Sequence, residues 1–236
     1  MQSKSTLKYL IGGALATGFL VNSSYTTKTD RGAFQIDVGH LLNARPVTTL
    51  SSGMLVHWTK GVDRENGYLT ASAAKFNGEV GSKALPDDPL IPGNSHHPAI
   101  LLHYSNEDAM GYQARLLDTG TTTIDVLTGR YKNMYLCFTS AYGKSELKVE
   151  LIYNDSAEVK NFTVPDWAND IPDNDPDLSY VVHDLPKWSN KGSRTEPDHH
   201  NIDALNIHPT LKHVLKQIRI KNLSKTYLMF WAAAGY

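Results

Sequence analysis

Polar and apolar positions alternate most sharply between Glu146 and Val164. The run Glu146-Leu147-Lys148-Val149-Glu150-Leu151-Ile152-Tyr153 keeps the alternation until Ile152, Asn154-Asp155-Ser156 interrupts it, and Glu158-Val159-Lys160-Asn161-Phe162-Thr163-Val164 resumes it. A period of two on both sides of a polar turn predicts an antiparallel hairpin with one buried and one wet face. Further strand-like runs follow from Ala33–Val38 onward, at Val47–Leu50, Met54–Trp58, Ala99–Tyr104, Tyr112–Leu117, Thr122–Leu127, Asn133–Ser140, Tyr180–His183, Val214–Lys221 and Tyr227–Ala232. Many short strands with Gly, Asn, Asp and Pro between them predict an all-β, antiparallel β-sandwich with long loops and very little helix. Leu69–Phe76 is expected to make two helical turns. His208–Val214 is expected to make one, opened by Pro209.

Two long segments break the strand pattern. Asn77–Pro98 holds Pro86, Pro89, Pro92 and Pro98, and reads as an ordered crossover lying on a sheet. Pro165–Asn201 reads as a second long loop, acidic at its start and histidine-containing at its end. Loops of such length inside a domain are often functional, so function is expected at Pro165–His208 together with Asn77–Pro98.

The first residues form a third region. Met1–Lys8 carries two lysines and no acid, Tyr9–Val21 is apolar and rich in Gly and Ala, and Asn22-Ser23-Ser24 is small and polar. That order resembles a secretory leader over residues 1–23, with Val21 and Ser23 at the −3 and −1 positions, and implies a secreted, periplasmic or cell-surface protein. The apolar run is too short to span a bilayer comfortably, so no transmembrane span is expected. The alternative is a retained arm that packs into a neighbouring subunit. Residues 24–32 then form a linker, and 33–236 a single sandwich domain.

Composition narrows the partners. The 236 residues are 41% hydrophobic and 20% charged, with a net charge of −1, so no global field selects nucleic acid or anionic membrane. Lys212, Lys216, Arg219, Lys221 and Lys225 gather near the C-terminus, where alternation along a strand marks a solvated face. The single cysteine, Cys137, excludes an internal disulfide and a zinc–thiolate cluster, and its apolar neighbours predict a buried, inert thiol.

Three groups of side chains could carry chemistry. Trp58 and Trp188 have polar neighbours, and a flat aromatic face beside hydrogen-bonding groups suits a sugar ring, so both are candidate exposed platforms. Asp198, His199 and His200, with Asp203 and His208 nearby, could bind ligand or move protons, although adjacent histidines on a strand point to opposite faces. The same objection applies to His96 and His97. Asp173, Asp175 and Asp177 place oxygen ligands at alternate positions, as the start of a calcium loop does, but position six is Leu178 rather than Gly and Pro176 stiffens the turn. A non-helical structural calcium is the remaining form of that reading. No Gly-x-Ser-x-Gly elbow, His-Glu-x-x-His helix, phosphate loop or dinucleotide fingerprint occurs, so a non-enzyme is favoured.

Several segments resemble the galactose-binding-like, carbohydrate-binding-module-like β-sandwich modules of secreted bacterial carbohydrate-active proteins. They are Ala84-Leu85-Pro86-Asp87-Asp88-Pro89, His97-Pro98-Ala99-Ile100-Leu101-Leu102-His103-Tyr104, and Leu147–Asp155 leading to Val164-Pro165-Asp166-Trp167. A strand ending in Tyr-x-Asp, a hairpin and an Asp-Trp corner recur in such modules, whereas Asp155-Ser156 here replaces their usual Asp-Gly turn. The resemblance implies a jelly-roll, often a structural calcium, and often a glycan or polysaccharide partner bound through end loops. It carries over no individual binding residue. Two alternatives remain: an assembly protein of a surface, fibre or shell, oligomeric through the arm, and a carbohydrate-active hydrolase using the histidine-and-acid loop.

Overall fold

The alternating runs form a four-stranded antiparallel sheet in the order β11-β10-β14-β8, where β8 is Thr121–Gly129, β10 Ser145–Tyr153, β11 Ala157–Val164 and β14 Leu215–Asn222. The computed structural model describes residues 32–236, apart from 80, 82, 118 and 119 and the side chains of 196–198; the expected leader or arm therefore lies outside the described residues. Ile124, Val126, Leu147, Val149, Leu151, Ile218 and Ile220 point inward from this sheet and are buried. Lys148, Arg219 and Lys221 occupy the wet face, as the alternation requires.

The second sheet has a different sequence character. Among the described residues it has nine strands in the order β1-β15-β9-β13-β12-β4-β2-β3, with β7 also pairing β15. These are β1 (Phe34–Ile36), β2 (Val47–Ser51), β3 (Met54–Val56), β4 (Asn66–Leu69), β7 (Arg115–Leu117), β9 (Met134–Ala141), β12 (Leu178–Ser189), β13 (Arg194–Asn206) and β15 (Tyr227–Gly235). β2 and β4 run parallel, and the other named pairs are antiparallel. Every residue of β9 is buried, which explains why Met134-Tyr135-Leu136-Cys137-Phe138 is apolar without interruption. One face of the sheet packs Leu136, Phe138, Leu205 and Phe230 against the four-stranded sheet. The other packs Tyr135, Cys137, Ala204 and Trp231 under the segments around Leu85, Ile100, Leu102 and Tyr104, which include the small β5–β6 pair (Leu90–Ile91 with Ile100–Leu101). The chain is thus an all-β sandwich covered by loops on its second face.

Three expected boundaries change. Pro165–Asn201 is a loop only as far as Asp177; the rest forms most of the β12–β13 hairpin, with β13 at the centre of the large sheet. The hairpin escapes a periodicity search because its register shifts repeatedly, at Tyr180/Val182, Val182/Leu185, Leu185/Lys187 and Lys187/Trp188. Pro186 and Pro197 lie in its two strands, and proline donates no ladder hydrogen bond. The helix begins at Ala71, as α1 (Ala71–Phe76) capped by Thr70, because Asn66–Leu69 is drawn into the sheet as β4. His208–Val214 is a turn, with His213 N donating to Thr210 O at 3.1 Å.

β13 carries an unusual core residue. Asp203 lies opposite Phe138 and Tyr180, on the same face as Leu205, and its Oδ1 finds no hydrogen-bond donor among the described residues. Burial pushes its carboxyl up to about 8, because a charge there would be stripped of water. The unfolded carboxyl ionises near 3.9. Between those values the folded state holds a proton that the unfolded state releases, so stability falls as pH rises from about 4 to about 8 and levels above that window. Asp203→Asn removes this dependence, and its stability relative to wild type is expected to gain roughly 1.4 kcal/mol per pH unit across the window. Urea unfolding at several pH values measures it. A difference between the two proteins that does not change with pH would contradict the assignment.

Candidate functional site

The two proline-containing segments meet the sheets at two grooves. In the first, of about 350 Å³, Lys83, Pro86, Ile91 and Pro92 lie over Val181, His183 and Leu185 of β12. Its rim is a charge cluster. Asp184 Oδ2 accepts hydrogen bonds from Lys83 Nζ at 2.7 Å and His183 Nδ1 at 2.9 Å, and His199 Nδ1 stands 3.9 Å from Oδ1. The Lys83 hydrogen bond, joined by that from His183, holds the Asp184 carboxyl below its ordinary range. Asp184 and His199 both have left-handed backbone, at φ +58° and +85°, where the bulged strands re-aim their side chains. The cluster's polar groups are largely engaged with one another, and the groove below them is aliphatic.

The second groove, of about 320 Å³, opens where the two sheets are joined. Pro165, Pro172 and Leu178 give it an apolar floor, and Lys144, Asp166, Asn169, Asp170 and Asp175 bring polar atoms. Its walls are fixed by backbone-to-carboxylate bonds. Asp166 accepts from Gly143 N at 2.6 Å and Ala168 N at 3.0 Å, which ties the β9–β10 corner to the loop. Asp175 Oδ1 accepts from the amides of Asp177 and Leu178, both at 2.9 Å, and so turns the chain into β12. Tyr180 Oη receives the Ile171 amide at 2.7 Å and stands 3.4 Å from Asp170 Oδ1. The exposed Asn169 side chain makes no hydrogen bond among the described residues, and Asp170 keeps acceptor capacity. Such a wall can receive and donate hydrogen bonds without first breaking its own.

The sequence-expected site residues do not form one site. Trp58 is 7% exposed and Trp188 0%, so neither offers a face to a ring. Trp58 donates Nε1–H to Trp188 O at 3.1 Å and lies across Gly67, where a Cβ would fall 2.5 Å from its Cδ1. Trp188 packs on Leu69, Ala73 and Ala74 of β4 and α1. Their polar sequence neighbours belong to strand ends and bulges, which is why the burial was not legible. His199 and His200 do point apart: His199 is exposed, whereas His200 is buried, its Nδ1 2.9 Å from Leu185 O and its ring 4.3 Å from that of Trp167. The Asp198 side chain lies outside the described residues. Asp173, Asp175 and Asp177 do not converge. Asp175 makes the turn described above, Asp177 pairs with His208 Nε2 at 3.0 Å, and no group of three His, Cys, Asp or Glu side chains among the described residues is arranged to hold a metal ion. Asn169 and Asp170 were anticipated only as part of the Pro165–His208 region, and Lys144 not at all, since nothing in the sequence brings 144 beside 169 until the corner folds.

No helix among the described residues is long and apolar enough to cross a membrane. No protein-family model and no curated protein matches the chain.

The burial of Trp188 sets the consequence of removing it. Trp188→Ala is expected to destabilise the protein by about 3–5 kcal/mol, the usual cost of emptying a large buried aromatic site. Urea unfolding checks this, and unchanged stability would contradict the packing.

Proposed function

We propose that this is an exported, non-catalytic β-sandwich protein that binds carbohydrate in the second groove, between Lys144, Asn169–Asp170 and Pro172. The observation that carries this reading is the pairing of an apolar floor (Pro165, Pro172, Leu178) with polar groups that retain unused hydrogen-bonding capacity. A sugar has that same mixture: C–H faces that favour apolar contact, and hydroxyls that both donate and accept. The groove lies in the loop segment that begins the Pro165–His208 region, and rigid sheets commonly present binding sites on such loops. The resemblance to carbohydrate-binding β-sandwich modules supports the same reading, and the cationic–apolar–small order of residues 1–24 supports a secreted or cell-surface location.

Asp166 and Asp175 spend carboxylate oxygens on backbone amides, which makes them wall elements of the groove. Screening the full-length protein on a glycan array and by affinity electrophoresis in polysaccharide gels tests the reading. Binding is expected in the wild type. Asn169→Ala combined with Asp170→Ala is expected to weaken it by about tenfold or more, from the loss of hydrogen bonds to ligand, with the melting temperature held. Failure of the wild-type protein to bind any polysaccharide would sink the proposal. Unaltered binding by the double variant would move the site elsewhere.

A further inference from the structure

Among the described residues, none of those lining the second groove is aromatic. An aromatic side chain lies two residues from its edge. Tyr142, Gly143 and Lys144 form the corner between β9 and β10, and Tyr142 remains 58% exposed. Its backbone is left-handed, at φ +63°, followed by Gly143 at φ +114°. Gly or Asn takes that first position with less strain than a bulky aromatic, because the Cβ crowds the adjoining carbonyl. Strain held at a particular side chain often marks a functional position, provided that the surroundings hold it in place.

Here the surroundings do hold it. The Arg64 amide donates to Tyr142 Oη at 3.3 Å, and the Arg64 guanidinium lies 5.9 Å from the ring centre. The corner is anchored by Gly143 N to Asp166 Oδ2 at 2.6 Å and by Ser140 Oγ to Gly143 O at 2.7 Å. Asp166 and Lys144 both line the groove, so one set of bonds positions the ring and the groove wall together. The Cα atoms of Tyr142 and Lys144 can be no more than about 7 Å apart, given the reach of the chain.

We propose that Tyr142, backed by Arg64, is the stacking platform of the carbohydrate site, and that the ligand is an oligosaccharide with one ring on Tyr142 and the next in the groove. The proposal rests on the carbohydrate reading above and adds the residue that supplies its aromatic contact. A pyranose presents C–H groups to the exposed ring, and the guanidinium on the ring restrains it in one pose. The position is unfavourable for Tyr on backbone grounds and open to solvent on packing grounds, so recognition accounts for the residue better than stability does.

Three variants test this, using an oligosaccharide and polysaccharide that the wild-type protein binds. Tyr142→Phe keeps the ring and is expected to keep affinity within about threefold. Tyr142→Ala is expected to lose about tenfold or more, the range of an aromatic contact removed from a binding site. Tyr142→Asn suits the left-handed backbone and is expected to lose the same affinity while its melting temperature stays at or above that of wild type. Wild-type-like binding by Tyr142→Ala, alongside loss in the Asn169/Asp170 double variant, would overturn the platform and leave the groove reading intact. A melting temperature of Tyr142→Asn that falls together with affinity would make Tyr142 a structural residue and also overturn it. Absence of any glycan binding by the wild type would overturn both readings.

Discussion

Strand β9, nearly all of β15 and residues 200–206 of β13 are buried on both faces, and the rest of the molecule is arranged to keep them so. On one side Leu136, Phe138, Leu205 and Phe230 meet the inward residues of the four-stranded sheet; on the other Tyr135, Cys137, Ala204 and Trp231 lie beneath loops. Each large side chain so placed contributes about 1.5–3 kcal/mol relative to exposure. The same burial demands partners for polar atoms. Trp231 Nε1 donates to Thr139 Oγ1 at 2.9 Å, and Asn206 Nδ2 to Asn133 Oδ1 at 2.8 Å. Asp203 is one exception: its Oδ1 meets no donor among the described residues, and burial pushes its carboxyl up to about 8.

That constraint also positions the grooves. A sheet covered on its second face needs long segments to cover it, and those segments must turn back at the sheet ends. They do so through side-chain acceptors. Asp166 holds the corner after β9, Asp175 starts β12, and Asn201 receives the Asp184 amide at 3.2 Å while donating to Asn169 O at 3.3 Å. The residues bordering the second groove are therefore fixed by the fold, while Asn169 extends from this scaffold into solvent. The second groove is a by-product of how the covering loops are tied down.

The legible part of the chain was the part with one wet face. Leu147, Val149 and Leu151 against Lys148 and Glu150 gave β10 without ambiguity, and β8 and β14 followed by the same period, whereas in β11 Val159 falls on the exposed face, out of phase with Phe162 and Val164. β13 was not legible. Its side chains include His200, Asn201, Asp203 and Asn206, polar residues that read as loop yet are buried by neighbours distant in sequence. Two-sided burial erases period two, and the bulges of β12 and β13 break what remains. Trp58 and Trp188 failed for a related reason, since contact between residues 130 positions apart leaves no local trace. The candidate site was half legible. The loop region was expected within Pro165–His208, whereas Lys144 reaches it only because β9 and β10 belong to different sheets.

Hydrogen exchange of the full-length protein, with and without a bound oligosaccharide, tests the central claim most directly. The account predicts that binding slows exchange at residues 142–144 and 163–178 and leaves the first groove, around residues 83–92 and 181–185, unchanged. It also predicts that amides of β9 and of residues 200–206 in β13 exchange only through global unfolding, with or without ligand. Protection gained at the first groove instead, or ready exchange at residues 200–206 of the free protein, would contradict the placement of the site or the doubly buried sheet on which it depends.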